Sequence, residues 1–278
     1  MRRTIARATL ALLVCSVTVP AAASPVVGCT ANTLPRGSFM VDAWFSWRTY
    51  TRTMTGDGWT EFPPGTNVTD GFFVPRLYYG VTDWLTVRGS LPLVDRFREY
   101  ESTDGQEANT GFGDVVIDPK IQIYKALEGY PRISLLTGVR FPTGDTDGDP
   151  PLSDGSTDYL GGAVVTHRFG TVDAHFSVVY FVNGESENGN GIENEWISSF
   201  TVETRVTESW SLLWEAKGYF GERPSERYRI YACPGISWSG GRLTVGASAM
   251  ISAISEEMNT SAVDYDWAPY IRLYYRFF

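Results

Sequence analysis

Few residues in this chain have the type and spacing to do chemistry. There are two histidines, His167 and His175. In Ala174-His175-Phe176-Ser177 an imidazole and a hydroxyl lie two residues apart. On an extended strand that spacing puts both side chains on one face, as a base and its nucleophile require. Such a pair also needs a group to orient the imidazole, and the sequence assigns none, so ordinary polar residues on a strand face are the competing explanation. Asp145-Thr-Asp-Gly-Asp149 has the start of a calcium loop. An EF-hand would go on to glycine at its sixth position and glutamate at its twelfth, where Pro150 and Ser156 stand. The stretch reads as a solvated acidic loop, at most bridging lipopolysaccharide phosphates loosely through divalent ions. No catalytic residue, resident metal or cofactor is therefore expected.

The first residues are an address. Arg2, Arg3 and Arg7 precede the apolar run from Ala8 to Val19, and Pro20-Ala-Ala-Ala23 precedes Ser24. This is the pattern of a secretory signal peptide over 1–23. Val26-Val-Gly-Cys29 loosely fits a lipoprotein cleavage box, which would acylate Cys29. Once Cys15 leaves with the signal, Cys29 is lipidated, free, or paired with Cys233.

What remains is charge, and charge needs elements to position it. The chain ends Trp267-Ala-Pro-Tyr-Ile-Arg-Leu-Tyr-Tyr-Arg-Phe-Phe278, which alternates with the period of a strand having two unlike faces. Reading for the same period gives twelve strands, near 37–50, 71–81, 84–94, 113–125, 132–142, 157–169, 172–183, 195–206, 209–220, 227–238, 242–252 and 265–278. Each has about 10 residues, the length that spans a membrane when tilted. Long polar connections (51–70, 95–111, 143–156, 184–194, 253–264) alternate with tight ones such as Thr82-Asp83, Gly170-Thr171 and Thr207-Glu208. That alternation over an even strand count belongs to a membrane barrel with short periplasmic turns and long outer loops.

The faces agree. One face carries Phe39, Val41, Phe45, Leu85, Val87, Ile117, Ile121, Leu135, Val139 and Ile251, almost without charge. The other carries Asp42, Arg48, Arg76, Arg88, Asp114, Asp118, Lys120, Arg140, Asp158, Arg168, Asp173, Glu203, Arg205, Glu215, Lys217, Arg229, Arg272 and Arg276. In lipid an open sheet edge would leave backbone groups unsatisfied, so the sheet must close with its charges inward. The fold class is all-β: a 12-stranded antiparallel transmembrane β-barrel over 37–278, with 24–36 as an N-terminal periplasmic segment. Seven inward arginines (Arg76, Arg88, Arg140, Arg168, Arg205, Arg229, Arg272) suggest a basic lumen behind acidic outer loops, so the net charge of -9 hides two opposite surfaces. Nucleic-acid recognition is not indicated.

Two resemblances attach to these residues. The terminal alternation through Tyr275 and Phe277 to Phe278 resembles the assembly signal of bacterial outer-membrane barrels, although Phe278 falls one residue beyond its usual register. The body resembles the transporter-like outer-membrane family labelled for the MetA pathway of phenol degradation. The carrying blocks are Tyr79-Gly-Val-Thr-Asp-Trp-Leu85 with Ser90-Leu-Pro-Leu93, Gly111-Phe-Gly-Asp114 leading to Lys120, Phe141-Pro-Thr-Gly-Asp145, and Gly155-Ser-Thr-Asp158 with Arg168-Phe-Gly170. The resemblance implies an outer-membrane, porin-like channel for passive uptake of small, aromatic or weakly anionic solutes. Its partners would be outer-membrane lipid and lipopolysaccharide, the barrel-assembly machinery and the solute. A closed structural or adhesive barrel is the alternative, and a lipid-hydrolysing barrel resting on His175 and Ser177 is a third.

Overall fold

The computed structural model describes residues 25–55, 58–100, 105–127, 129–185, 194–222, 227–257 and 263–277. The signal peptide expected over 1–23 and the final Phe278 lie outside them. Seventeen strands follow one another: β1 (Phe39–Tyr50), β2 (Arg52–Thr55), β3 (Gly58–Glu61), β4 (Asn67–Thr82), β5 (Leu85–Ser90), β6 (Leu93–Tyr100), β7 (Gly105–Phe112), β8 (Val115–Lys125), β9 (Arg132–Phe141), β10 (Asp158–Phe169), β11 (Val172–Val182), β12 (Glu195–Arg205), β13 (Trp210–Gly221), β14 (Arg227–Gly240), β15 (Leu243–Glu257), β16 (Val263–Asp264) and β17 (Trp267–Arg276).

All but three short ones form a single antiparallel sheet that closes, because β1 pairs with β4 on one side and with β17 on the other. The wall has twelve staves. β5 and β6 are two lengths of one stave, both pairing with β4 and broken at Leu91-Pro92, and β8 and β7 are the two lengths of the next. Proline has no N–H to give a ladder, so a break there is expected. The periplasmic turns are tight as read from the sequence; Gly170 (φ 63°) and Gly241 (φ 59°) supply the left-handed residue between β10 and β11 and between β14 and β15.

The packing is inverted relative to a water-soluble domain. Phe45, Phe73, Leu77, Ile117, Leu135, Phe200, Leu212, Trp214, Ile236 and Ile271 point outward and are exposed. Aromatic residues border this band at the periplasmic strand ends (Phe39, Trp84, Phe169, Trp210, Phe277) and at the outer ends (Phe112, Phe141, Tyr159, Trp196, Trp267). A lipid-facing band between two aromatic girdles is the surface of an outer-membrane barrel. Inside, Asp42, Asp158, Thr166, Thr201 and Glu203 are almost completely buried.

Two expectations are corrected here. The stretches 51–70 and 95–111 contain paired strands among their described residues. β6 and β7 pair as a hairpin from Leu93↔Phe112 to Tyr100↔Gly105, and β2, β3 and β16 form a small sheet joining the first and last outer connections. Above the lipid both faces of a strand meet water or protein, so sequences such as Arg96-Phe-Arg-Glu99 lose the apolar alternation that would have betrayed them. The second correction concerns 24–36. From Pro25 to Arg36 the chain lies inside the barrel; Val26, Ala31 and Leu34 are buried there. Many of its backbone N–H and C=O groups find partners on the lumen wall.

Candidate functional site

The lumen is the candidate site, and its lower half is built around this inserted segment. Glu215, on the inner face of β13, accepts hydrogen bonds from the successive N–H groups of Val26 (3.0 Å), Val27 (3.2 Å) and Gly28 (2.8 Å), and from the Thr201 hydroxyl (3.1 Å). Successive amides converging on one oxyanion make an anion nest, here with the carboxylate supplied by the wall and the nest by the segment. The carbonyls go to cations: the Arg272 guanidinium donates to Pro25 O (2.8 Å), and Lys120 Nζ donates to Thr30 O (2.9 Å). Ala31 N donates to Thr166 Oγ1 (2.8 Å), Leu34 N to Thr86 Oγ1 (2.7 Å), and Ser134 Oγ to Ala31 O (2.7 Å). Where the segment leaves the barrel, Arg36 N donates to Asp83 Oδ1 and Gly37 N to Gly80 O.

Two glycines make room for it. A Cβ on Gly80 would collide with the carbonyl of Pro35, and one on Gly28 would stand 2.6 Å from Thr201 Oγ1. Gly80 and Asp83 both belong to the block Tyr79-Gly-Val-Thr-Asp-Trp84, so that block is the seat of the segment's exit.

The inward arginines are where parity sends them, and most of them are paired with carboxylates. Arg76 and Arg272 share Asp42, Arg88 pairs with Asp118 at 2.7 Å, Arg140 with Asp158, and Arg168 and Arg205 share Asp173. Six of the seven arginines of the expected ring are thus in ion pairs with carboxylates that are themselves nearly buried, and Arg229 lies over the Tyr219 ring at 5.5 Å. Glu203 takes a hydrogen bond from Ser211 Oγ at 2.9 Å. Asp114 is the one expected wall residue placed elsewhere. It sits between β7 and β8, and its Oδ1 accepts from Thr143 N and Gly144 N, fixing the start of the third outer loop. The reason is the break in the stave, which takes Asp114 out of the strand periodicity.

Above the segment aromatic side chains line the lumen. Trp44 stacks on Tyr270, Tyr231 on Tyr265, and Tyr50 meets Tyr265 edge-on. Val26 reaches into this layer from below. The Arg48 guanidinium lies 4.6 Å from the Phe72 ring and donates to Tyr270 Oη at 2.7 Å, while Lys217 Nζ is 4.8 Å from the Tyr219 ring. Among the described residues neither Arg48 nor Lys217 has a carboxylate in ion-pair range, so aromatic faces supply their attraction.

His175 and Ser177 share the inner face of β11 as the spacing predicts, but each is engaged elsewhere. The imidazole Nδ1 is 3.0 Å from Thr166 Oγ1, and Ser177 Oγ is 2.7 Å from Ser199 Oγ. In the acidic loop, Asp145 accepts from Asn109 Nδ2 and from Asp147 N, and these hydrogen bonds hold its carboxyl below the usual aspartate range. Cys29 and Cys233 are both free thiols, Cys233 being buried. Sequence reasoning missed the segment's seat. Glu215 faces Thr201 and Cys233 across its two ladders, neither a cation, but that register is visible only in the structure.

Residues 22–262 match the model of the family described as "Putative MetA-pathway of phenol degradation". No curated protein matches the chain by sequence. Among solved structures, an outer membrane channel from Pseudomonas putida F1 is similar with a TM-score of 0.70 at 13% identity, covering 89% of this chain and 98% of that one. The NanC porin follows with a TM-score of 0.54 at 9% identity, over 85% of this chain and 100% of its own. The translocator domain of the autotransporter NalP from Neisseria meningitidis gives 0.51 at 11% identity, over 89% and 91%. At such identities the likeness is one of fold, and the fold is that of outer-membrane barrels. Closed wall, girdled outer face and family match agree, and the chain belongs to the family of the MetA pathway of phenol degradation.

Proposed function

We propose that the protein is a passive outer-membrane channel for small solutes of aromatic or weakly anionic character, its lumen occupied at rest by residues 25–36. One observation carries the reading. The lower lumen is occupied by residues 25–36, held to the wall by hydrogen bonds spread over separate residues. A barrel built only as a scaffold has no need of a filler that can be withdrawn. The family's description and the aromatic lining above the segment support an aromatic solute, and the cations Arg48, Lys120, Lys217 and Arg276 support a weakly anionic one.

In this reading the chain is exported by its signal peptide and inserted by the assembly machinery acting on the Tyr275–Phe277 terminus with Phe278. It meets lipid through its outer band and lipopolysaccharide through its outer loops. His175 and Ser177 serve the lumen's hydrogen bonding and not hydrolysis. The test is flux: proteoliposomes carrying the purified chain should admit phenol-sized solutes faster than empty liposomes and exclude disaccharides. Equal rates with and without protein would favour the closed structural barrel.

A further inference from the structure

Between the inserted segment and the wall lies a cavity of about 100 Å³, bordered by β1, β4, β5, β8, β9 and β17. Leu34, Met40 and Leu136 give it apolar surface. Interleaved with them are four cations, Arg88, Lys120, Arg272 and Arg276, against one lining carboxylate, Asp118; Met40 is the ladder neighbour of Arg276 and Leu136 of Lys120. Arg88 is neutralised by Asp118, and Arg272 by Asp42, which it shares with Arg76. Lys120 and Arg276 have no carboxylate of their own. Lys120 donates to the Thr30 carbonyl, and the Arg276 side chain has no hydrogen-bond or ion-pair partner among the described residues, its Nε being buried without one.

We propose that this cavity binds a small monocarboxylate whose apolar body is no larger than one ring. The inference rests on the channel reading and names the solute class that would use it. The surplus positive charge calls for an anion, and the apolar residues set between the cations disfavour a compact dianion such as phosphate, which would have to be desolvated against Leu34 and Met40. A phenol is a poor candidate for the charge, because a phenolic hydroxyl ionises near pH 10 and stays neutral at physiological pH, whereas a carboxylate is ionised there. Size sets the upper limit. An apolar cavity of ~150 Å³ accepts benzene, so a short-chain acid fits as the cavity stands, and a ring fits once the segment yields. An incoming carboxylate can compete for Arg272 and Lys120, because it adds opposite charge to the hydrogen bond that the carbonyls of Pro25 and Thr30 offer them.

Calorimetric titration of the full chain in detergent, corrected for a micelle blank, tests this with benzoate, benzyl alcohol and acetate. Benzoate should bind with one-to-one stoichiometry, at least tenfold tighter than benzyl alcohol, which has the ring without the charge, and than acetate, which has the charge without the ring. Arg276→Gln should weaken benzoate about tenfold and leave benzyl alcohol unchanged; its side chain has no partner to lose, and an unchanged heat-modified mobility on gels confirms the fold. Equal affinity for benzoate and benzyl alcohol, acetate binding as tightly as benzoate, or an unaffected Arg276→Gln variant would each overturn the proposal. Binding in detergent needs no open path. Benzoate binding without flux would refute the channel and keep the site, and flux without binding would do the reverse.

Discussion

Glu215 is a carboxylate that the barrel wall cannot satisfy by itself. Three amides of the segment and one hydroxyl do so, and a buried acceptor left without its donors costs about 1–3 kcal/mol. Replacing Glu215 by Ala removes the nest's anion and leaves the amides of Val26, Val27 and Gly28 without their acceptor. The docked segment should then be disfavoured roughly tenfold, corresponding to about 1.4 kcal/mol, while the ladders of β13 are untouched. The expected readout is a higher open probability in planar bilayers with an unchanged melting temperature of the barrel. Asp145 gives a pH prediction outside the membrane. Its carboxyl is held below the ordinary range by Asn109 and by backbone N–H groups, so the stabilisation of the third outer loop is complete above pH about 4 and is lost as pH falls through the lower folded value. Protease cleavage within 143–156 should rise only below about pH 4, and Asn109→Ala should move that rise to higher pH. Cleavage independent of pH between 3 and 7 would remove Asp145 from the account. At this scale the sequence was legible as to direction and illegible as to pairing. Inward parity follows from period two alone, but whether Arg140 meets Asp158 or solvent depends on ladder register, which no local pattern states.

Strands were legible wherever lipid imposes alternation, and the aromatic girdles mark how deep that alternation runs. An arginine at Leu135, exposed near the middle of β9, should cost ~2–4 kcal/mol, and one at Phe141, at the outer end of the same strand, only ~0–1 kcal/mol. Equal costs in reversible unfolding into lipid would contradict the girdle assignment. The terminal strand carries a second test at this scale. Tyr275 and Phe277 are outward-facing and exposed, and Phe277 N donates to Phe39 O where β17 closes on β1. Deleting 277–278 should lower the amount of assembled barrel in outer membranes, and normal assembly would show that closure does not need these aromatics. Elements free of lipid escaped the reading. The β6–β7 hairpin is polar on both faces, and residues 25–36 have no period at all, since they satisfy the lumen wall group by group. The family blocks held part of this information: Asp83 and Gly80 seat the segment's exit, and Asp114 caps Thr143 and Gly144 of the next block. They were readable as strings, and their partners only as geometry.

For the whole molecule, six inward arginines share four carboxylates, so pairing reduces the positive charge of the lumen without cancelling it, and Arg48, Lys120, Lys217 and Arg276 add to the bias. Reversal potentials under a salt gradient should show a mild anion preference. Lys120→Gln with Arg276→Gln should reduce it, and Arg140→Gln, which unmasks Asp158, should shift it toward cations. The account as a whole depends on residues 25–36 being a removable occupant of a finished pore. Single-channel conductance of the intact barrel against one lacking 25–36 measures this directly. The account predicts a small conductance for the intact chain and one several-fold larger without the segment, at equal assembly; no increase on deletion would contradict it.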